Sequence, residues 1–223
     1  MGKHYKKAFE KIADEKQIRI LDAATAEFAG KGFPGANINV IAKKAGISIG
    51  AMYNYFGSKD DLFLTIIDRA HSILEKAIHE VDQAGEDIFE SIEKLLRAAQ
   101  EYSKRYPELT QIYLDMTSEG LSHLSRQLSG KMETLSWQFY RKMILKAGEA
   151  GQVDSDLDIR VASFCLDNLI MMLQYSYASD YFRERLKIFI GEDAFADEER
   201  MIREMMRFIR GAFTPRQLNP ILS

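Results

Sequence analysis

The chain has little cysteine, proline and glycine. Its 223 residues include one Cys, four Pro and fourteen Gly. A single Cys excludes an intrachain disulfide framework and a zinc site built from cysteines. Scarce Pro and Gly, together with abundant helix-favouring residues, predict a mostly helical chain. Because 46% of the residues are hydrophobic, the composition also argues against a disordered protein.

The sequence also lacks a long hydrophobic run. Its N-terminus is polar and has no apolar core of the kind found in signal peptides. The most apolar stretch, residues 161–179, is interrupted by Asp167, Asn168 and Gln174. It therefore falls short of the 18 or more apolar residues of a membrane-spanning helix. We expect a soluble, cytoplasmic protein with no membrane partner.

Net charge is small overall but unevenly distributed. The whole chain carries a net charge of −3. Residues 1–60 contain ten Lys or Arg and six Asp or Glu, whereas residues 61–223 contain twenty and twenty-seven. These counts give net charges of +4 and −7, and such an imbalance indicates separate tasks for the two segments. Chance and solvated helix faces are the alternative explanation.

Apolar residues recur with a helical period along nearly the whole chain, and no sustained strand alternation is present. The first helix is expected to stop at the glycines of residues 30–32. Asn37, Ser48 and Ser58 are predicted N-caps, because their side chains can accept a bond from an unpaired backbone N–H. The predicted helices span residues 5–29, 38–44, 49–55, 59–81, 86–105, 107–117, 122–147, 158–187 and 197–212.

Residues 38–56 have the pattern of a helix, a sharp turn and a second helix. Ala42 is small where two helices must approach closely, and Gly46 allows the positive φ angle of the turn. The positions expected to form a small internal core are apolar: Ile41, Ala45, Ile47 and Met52. An ordinary helical hairpin is the alternative, but the full set of positions favours a DNA-binding helix-turn-helix.

Residues 15–63 resemble the DNA-binding region of the Tet-repressor (TetR) family. The matching elements are Ile20-Leu21-Asp22-Ala23-Ala24, Phe28, Lys31-Gly32-Phe33, Ile41-Ala42, Ala45-Gly46-Ile47-Ser48, Gly50, Tyr53-Asn54-Tyr55-Phe56, Lys59 and Leu62. The resemblance implies an all-α protein. An N-terminal three-helix helix-turn-helix domain (residues 1–60) would be followed by a larger helical ligand-binding and dimerisation domain (residues 61–223).

DNA contacts can be assigned to individual residues of this motif. Ser48 caps the second helix, where backbone N–H groups suit a phosphate. The first turn of that helix would face the major groove, with Gly50 allowing close approach and its neighbours touching thymine methyl groups. The resemblance adds two tyrosines and a lysine that contact or pack beside phosphates, and asparagines that reach bases. The predicted DNA-binding residues are Asn37, Asn39, Ser48, Ile49, Gly50, Ala51, Tyr53, Asn54, Tyr55 and Lys59.

Two features of the motif depart from common family patterns. Ala36 replaces a frequent Thr, so that Asn37 must cap its helix alone, and Ile49 is apolar where a polar residue is common. These departures leave the predicted fold intact, but they make the operator sequence unpredictable.

Two C-terminal helices are apolar on more than one side. Residues 161–175 are apolar on nearly all sides, and the last helix has two adjacent apolar seams. Met201, Met205, Phe208 and Ala212 form one seam; Ile202, Met206, Ile209 and Phe213 form the other. We expect the helices at residues 158–187 and 197–212 to pair in a two-fold homodimer, which the resemblance also implies. Central packing in a single domain is the alternative.

The C-terminal helices are also rich in aromatic and Met residues. The resemblance places a small-molecule effector in this region, and such side chains can line a largely apolar pocket. Plain core packing is the alternative for each residue. The predicted ligand-binding residues are Tyr113, Trp137, Tyr140, Phe164, Met171 and Tyr175.

Catalysis, metals and cofactors have little support in the sequence. His71, Glu75 and His79 share one helix face, but no fourth ligand is suggested. Cys165 is expected to be an inert core residue of an apolar helix. The sequence therefore predicts a ligand-responsive regulator, a repressor that binds double-stranded palindromic operator DNA and has no enzymatic activity. The alternative is a helical ligand-binding or scaffolding protein in which the helix-turn-helix is only structural.

Overall fold

The computed structural model describes residues 3–84, 87–116 and 121–215. All regular structure within these ranges is α-helical, which confirms the predicted fold class. The helices are α1 (Lys7–Glu10), α2 (Asp14–Gly35), α3 (Ile38–Lys44), α4 (Ile49–Tyr55), α5 (Lys59–Ala84), α6 (Ile88–Arg105), α7 (Pro107–Asp115), α8 (Ser122–Glu149), α9 (Ile159–Ala178), α10 (Asp180–Ile190) and α11 (Glu198–Phe213).

Helices α3 and α4 have the predicted bounds, and the three predicted caps are confirmed. The side-chain oxygens of Asn37, Ser48 and Ser58 accept backbone N–H groups two or three residues further on, at 2.9, 3.1 and 3.0 Å. Each bond satisfies one of the N–H groups that a helix start leaves without an intrahelical partner. The side chains at these positions therefore fix where α3, α4 and α5 begin.

The prediction of one helix at residues 5–29 was wrong at both ends. The segment contains two helices, α1 and α2, and α2 continues to Gly35. Gly32 has a φ of 65° and kinks α2, which a residue without a Cβ allows at little steric cost. Pro34 follows in the first turn after the kink, where its missing N–H removes no helical bond. Residues 33–35, which follow the expected end of the helix, thus form a further helical turn.

The single helix predicted at residues 158–187 was also wrong. Ser179 is extended, with φ −115° and ψ 129°, and separates α9 from α10. The break gives α10 a new direction, and the ring of Phe182 then packs against that of Tyr175 at 5.3 Å. The helices predicted at residues 86–105 and 107–117 each have one end outside the described residues, at residue 86 and at residue 117.

Contacts between residues divide the chain into two compact units. The N-terminal unit contains Met1–Leu74 and Tyr106–Lys131, and the C-terminal unit contains Glu75–Arg105 and Met132–Ser223. This division differs from the functional boundary predicted between residues 60 and 61, which stays a prediction. In the part of the chain that the structure describes, no helix is long and apolar enough to span a bilayer.

The core of the N-terminal unit brings α2, α3, α4 and the start of α5 together, with α7 packed on α2. Three rings form its centre. Phe63 of α5 contacts Phe28 and Phe33 of α2 at centroid distances of 5.2 and 5.1 Å. This apolar contact fixes α5 against α2 and leaves the outer surface of α3 and α4 uncovered.

The core of the C-terminal unit is built from α6, α8, α9 and α11. Ile92, Ile144, Leu166 and Ile202, one from each helix, are all almost completely buried. At the surface, Arg97 of α6 forms ion pairs with Glu93 at 2.8 Å and Glu199 at 2.6 Å. The pair with Glu199 joins α11 to α6.

Candidate functional site

The candidate DNA-binding element consists of α3, a tight turn and α4. Gly46 in the turn has a φ of 67°, the left-handed conformation that the sequence predicted. The Gly46 N–H donates to Lys43 O at 3.1 Å, and the Ile47 N–H donates to Ala42 O at 3.0 Å. The turn is therefore closed by backbone bonds, and it fixes the angle between the two short helices.

Buried side chains hold this element on its inner side. Ile41, Ala45 and Met52 are at most 1% exposed. Arg19 of α2 donates from Nε to the Ala45 carbonyl at 2.9 Å. Since helices of seven residues are unstable alone, these contacts keep α3 and α4 in place.

An ion pair also ties α3 to α2. Lys44 Nζ lies 2.8 Å from Glu27 Oε2, and the Glu27 side chain is buried. The hydrogen bond from Lys44 lowers the pKa of Glu27 more than burial raises it. The pair therefore stabilises the fold above the acid range and is lost when Glu27 is protonated.

The first turn of α4 faces outward. Ser48 and Gly50 are exposed, Ile49 is 39% exposed and Ala51 is partly buried. A Cβ at Gly50 would meet only Ser48 Oγ, at 3.9 Å, so that a side chain fits the protein itself. The lack of a side chain at Gly50 is therefore not required by packing within the chain. The other predicted contacts Asn37, Asn39 and Asn54 are exposed on the same two helices.

The two tyrosines of α4 lie in different environments. Tyr53 is 54% exposed, whereas Tyr55 is only 7% exposed. The ring of Tyr55 packs 5.9 Å from Phe9, and the ammonium of Lys16 lies 5.7 Å from its centroid. Tyr53 is thus available for an external contact. Tyr55 instead supports the helix from inside.

Lys59, predicted to bind phosphate, already has partners within the chain. Its Nζ donates to Pro34 O at 3.1 Å and lies 4.9 Å from the ring centroid of Phe33. These contacts hold the lysine beside the end of α2, partly buried. A phosphate contact would require Lys59 to share or exchange them.

The segment before α2 was predicted only as the start of a longer helix, with no functional role. In the structure, the Lys6 N–H donates to Tyr55 O at 2.8 Å, and Lys6 Nζ donates to Tyr53 O at the same distance. Phe9 is 2% exposed, with its ring 4.8 Å from that of Phe56. The segment is therefore attached to the last turn of α4. The aromatic residues Tyr5 and Phe9 among the lysines of residues 3–11 were the signal that could have shown it.

In the C-terminal unit, α9 and α11 each have an exposed apolar face. On α9, Val161 is 57% exposed, Phe164 69% and Met172 39%, and on α11 Phe208 is 67% exposed. The predicted second seam of α11, Ile202, Met206, Ile209 and Phe213, is buried in the unit's own core. Of the first seam, Met201 and Met205 pack partly buried against the core, and Phe208 and Ala212 are exposed.

Two predictions about α9 need correction. Cys165 is exposed, so that the expectation of a core cysteine was wrong. Phe164 was predicted to bind ligand, but its high exposure means that it does not line the interior of its own chain. At 100° per residue, Phe164 lies on the side of α9 opposite the buried Leu166, and Cys165 lies between these two sides.

The other predicted ligand-binding residues are more enclosed. Tyr140 and Tyr175 are 6% and 4% exposed, and Trp137 and Met171 are partly buried in the C-terminal unit. The Tyr175 hydroxyl lies 3.8 Å from Met171 Sδ. Tyr113, also partly buried, belongs to the N-terminal unit.

Asp167 is a charged neighbour of Tyr140 that was not among the predicted ligand-binding residues. Its carboxylate accepts a hydrogen bond from the Tyr140 hydroxyl. Burial, together with the negative charge of Glu133, raises the pKa of Asp167 to about 6, and the tyrosine bond opposes this shift. Burial likewise raises the pKa of Tyr140 and of Tyr175. A partly buried carboxylate thus lies among aromatic and thioether side chains.

Within residues 3–84, 87–116 and 121–215, no group of three or more His, Cys, Asp or Glu side chains could hold a metal ion.

The N-terminal region matches a known family. Residues 20–66 match the family described as bacterial regulatory proteins of the tetR family. The HTH-type transcriptional repressor NicS of Pseudomonas putida is 28% identical over 190 residues, which cover 84% of this chain and 85% of the relative. HbdR, an HTH-type transcriptional regulator of Aromatoleum sp., is 34% identical over 93 residues, which span 41% of this chain and only 39% of HbdR.

Solved structures agree with the fold of the whole chain. The fatty acid degradation regulator FadR from Bacillus halodurans aligns with a TM-score of 0.72 and 18% identity, covering 92% of this chain and 100% of that one. A TetR-family regulator from Chloroflexus aurantiacus aligns with a TM-score of 0.69 and 20% identity, covering 95% and 99%. These structures show the fold, and the matched domain at residues 20–66 together with the curated relatives supports a TetR-family transcriptional regulator.

Proposed function

We propose that this protein is a transcriptional repressor that binds a palindromic operator as a homodimer and is released by a small effector molecule. One observation carries the DNA-binding part: the first turn of α4 is exposed while buried residues fix the helix from behind. A helix held in this way can enter the major groove with its N-terminal residues on base edges. Such a regulator acts in the cytoplasm, where the chromosome is.

The exposed residues suit different kinds of DNA contact. Ile49 and Ala51 present methyl groups suited to thymine, and Gly50 lets the α4 backbone approach the bases. Asn39 and Asn54 offer amide groups to base edges. The other predicted residues would position the protein on the DNA rather than read the base sequence. Asn37 and Ser48 cap helices, Tyr55 supports α4, and Tyr53 and Lys59 would approach phosphates.

Gly50→Ala tests this assignment without disturbing the fold. Alanine fits the space at Gly50 and should stabilise α4 by about 0.5–1 kcal/mol. The added methyl group should nevertheless weaken binding to a duplex that the wild-type protein selects from a random pool. Electrophoretic mobility shift and thermal melting measure the two effects separately.

The matched control is Gly30→Ala, at an exposed position of α2 where an added Cβ meets nothing within 4 Å. It should preserve operator affinity. Equal affinities of both variants would remove α4 from the DNA interface. Failure of the wild-type protein to select any duplex would favour the alternative, a helical ligand-binding or scaffolding protein in which the helix-turn-helix is only structural.

The dimer is proposed to form through α9 and the outer seam of α11. The exposed apolar side chains on these helices are large, and monomeric proteins rarely leave extended apolar patches open to water. Pairing α9 and α11 with their copies in a second chain would cover both faces in a four-helix bundle. The resulting two-fold symmetry would match two operator half-sites about 34 Å apart.

The effector site is proposed to involve the enclosed residues of the C-terminal unit. Trp137, Tyr140, Met171 and Tyr175 suit a largely apolar molecule, and the Tyr140–Asp167 pair can hold its polar end. Tyr113 belongs to the N-terminal unit and is not included in this proposed site. Among similar structures, the FadR protein of Bacillus subtilis is in complex with stearoyl-CoA. That similarity supports control by a small molecule without identifying the effector of this chain.

Helix α5 is the proposed route between effector and DNA. It is continuous from Lys59, three residues after Phe56, to Ala84, and its last residues belong to the C-terminal unit. An effector that shifts α5 would change how the two copies of α4 are presented to the operator. Coupling free energies of this kind are typically about 1–3 kcal/mol. This mechanism requires no catalysis, and we propose none.

A further inference from the structure

The segment before α2 is packed against the helix proposed to read DNA. It precedes the region that matches the family, residues 20–66. Its helix α1 has only four residues, too few to be stable alone. Phe9 holds it in place: the ring is buried and lies 4.8 Å from Phe56 and 5.9 Å from Tyr55. The segment therefore has a defined position rather than that of a loose terminus.

Backbone contacts tie this segment to the C-terminal end of α4. The last carbonyls of a helix have no intrahelical partner. Lys6 supplies two of the missing bonds, from its N–H to Tyr55 O and from its ammonium to Tyr53 O, both at 2.8 Å. On the other side, the Thr65 hydroxyl, which donates to Asp61 O at 2.7 Å, lies 3.3 Å from His4 O. The segment thus links the recognition helix to α5.

Two lysines of this segment remain available to an outside partner. Lys7 and Lys11 are exposed, one helical turn apart, and each lies two residues from Phe9. At that spacing they point away from the buried ring. Glu10, the acidic residue between them, pairs with Lys3. Within the described part of the chain, no carboxylate pairs with Lys7 or Lys11.

We propose that residues 3–13 form an accessory DNA contact in which Lys7 and Lys11 bind backbone phosphates beside the base pairs that α4 reads. The proposal rests on the proposed operator binding by α4. A phosphate contact is favoured because the ammonium groups lie on a segment attached beside Tyr53, the exposed tyrosine at the outer end of α4. Ammonium groups add affinity and orientation to a complex, but they carry no sequence information.

The test is the double variant Lys7→Ala/Lys11→Ala in the full chain, titrated with a duplex that the wild-type protein has selected. Each phosphate contact contributes about 0.9 to the slope of log affinity against log salt. A dimer that loses four contacts should therefore show a slope shallower by roughly 2 to 4. Binding to an unrelated duplex should weaken by about the same factor as binding to the selected duplex. Because both side chains are exposed, the melting temperature should stay unchanged.

The matched control is Lys76→Ala/Lys146→Ala, which removes the same charge from exposed positions of the C-terminal unit. It should keep the wild-type slope. Suppose that the Lys7→Ala/Lys11→Ala variant also keeps the wild-type slope on a duplex to which the Gly50→Ala variant binds more weakly than the wild type. That result would overturn the accessory contact and leave the operator-binding function standing. If the wild-type protein selects no duplex at all, both are overturned.

Discussion

Asp167 illustrates the effect of one partly buried charge. Its pKa, raised to about 6, lies above the ordinary value of 3.8 in an unfolded chain. The folded protein therefore holds the proton more tightly, and its stability falls as the pH rises through about 4 to 6. A carboxylate that weakens the fold at neutral pH fits a role in binding better than a role in packing.

This effect predicts a pH-dependent result for Asp167→Asn. The amide cannot ionise, yet its oxygen can still accept the hydrogen bond from Tyr140. We expect the variant to be more stable than the wild type by about 1–2 kcal/mol at pH 7.5, a value discounted for partial exposure. The difference should nearly vanish at pH 4. Urea unfolding at several pH values measures it, and a difference independent of pH would contradict the assignment.

Some single residues could be placed from the sequence and others could not. Ser48, Gly46 and Met52 could be predicted because caps, left-handed turns and small cores depend on local spacing. Phe164 and Tyr55 could not be placed, since an aromatic side chain in either helix suits the core as well as the surface. Only the packing shows that Phe164 faces outward and Tyr55 inward.

At the scale of elements, α9 and α11 each present one face to their own core and another to solvent. The faces lie on the same helices, so that a substitution on the outer face should leave the inner packing intact. Phe208 is 67% exposed, whereas the next residue, Ile209, is 1% exposed. This separation allows the proposed dimer to be tested without unfolding the unit.

Phe164→Glu and Phe208→Glu should each dissociate the dimer. A buried glutamate replacing an interface aromatic costs about 2 kcal/mol or more at each of two symmetric positions. The dissociation constant should therefore rise roughly 1,000-fold. Sedimentation velocity measures the change, and maleimide labelling of Cys165 should become faster as the interface opens.

Tyr53→Glu is the matched control for these variants. It places the same charge at an exposed aromatic position of the N-terminal unit and should leave the dimer intact. A Phe164→Glu protein that stays dimeric, with Cys165 still protected, would exclude α9 from the interface.

The break between α9 and α10 shows a limit of helical periodicity. The apolar pattern continues through residues 158–187, so a single helix was predicted. Ser179 leaves the helix with extended backbone angles, and the ring of Phe182 packs on that of Tyr175 beyond the break. Neither glycine nor proline marks this position, so that the sequence pattern alone did not predict the break.

At the scale of the whole molecule, the proposed switch implies reciprocal binding. If an effector lowers operator affinity, the operator must lower effector affinity by the same factor, about 5- to 150-fold for this class of coupling. A thermal-shift screen can supply a compound that stabilises the protein. Its affinity should then be measured by calorimetry with and without the selected duplex. Equal affinities would contradict an allosteric release mechanism.

The charge asymmetry of the chain also belongs to this scale. The excess of +4 falls on residues 1–60, which contain the helix-turn-helix and the segment with Lys7 and Lys11. A positive surface attracts DNA before specific contacts form, and the attraction weakens with salt. Residues 61–223, with a net charge of −7, have no such attraction to DNA.

The sequence by itself determined the all-α class, the bounds of α3 and α4, and the resemblance of residues 15–63 to the TetR family. These features depend on residues close together in the chain, where capping, helical period and turn geometry act. Tertiary structure alone decided the attachment of Phe9 and Lys6 to the end of α4, the break at Ser179 and the outward face of α9. Such features depend on partners distant in sequence, because burial of apolar surface and pairing of polar groups are settled only when those partners meet.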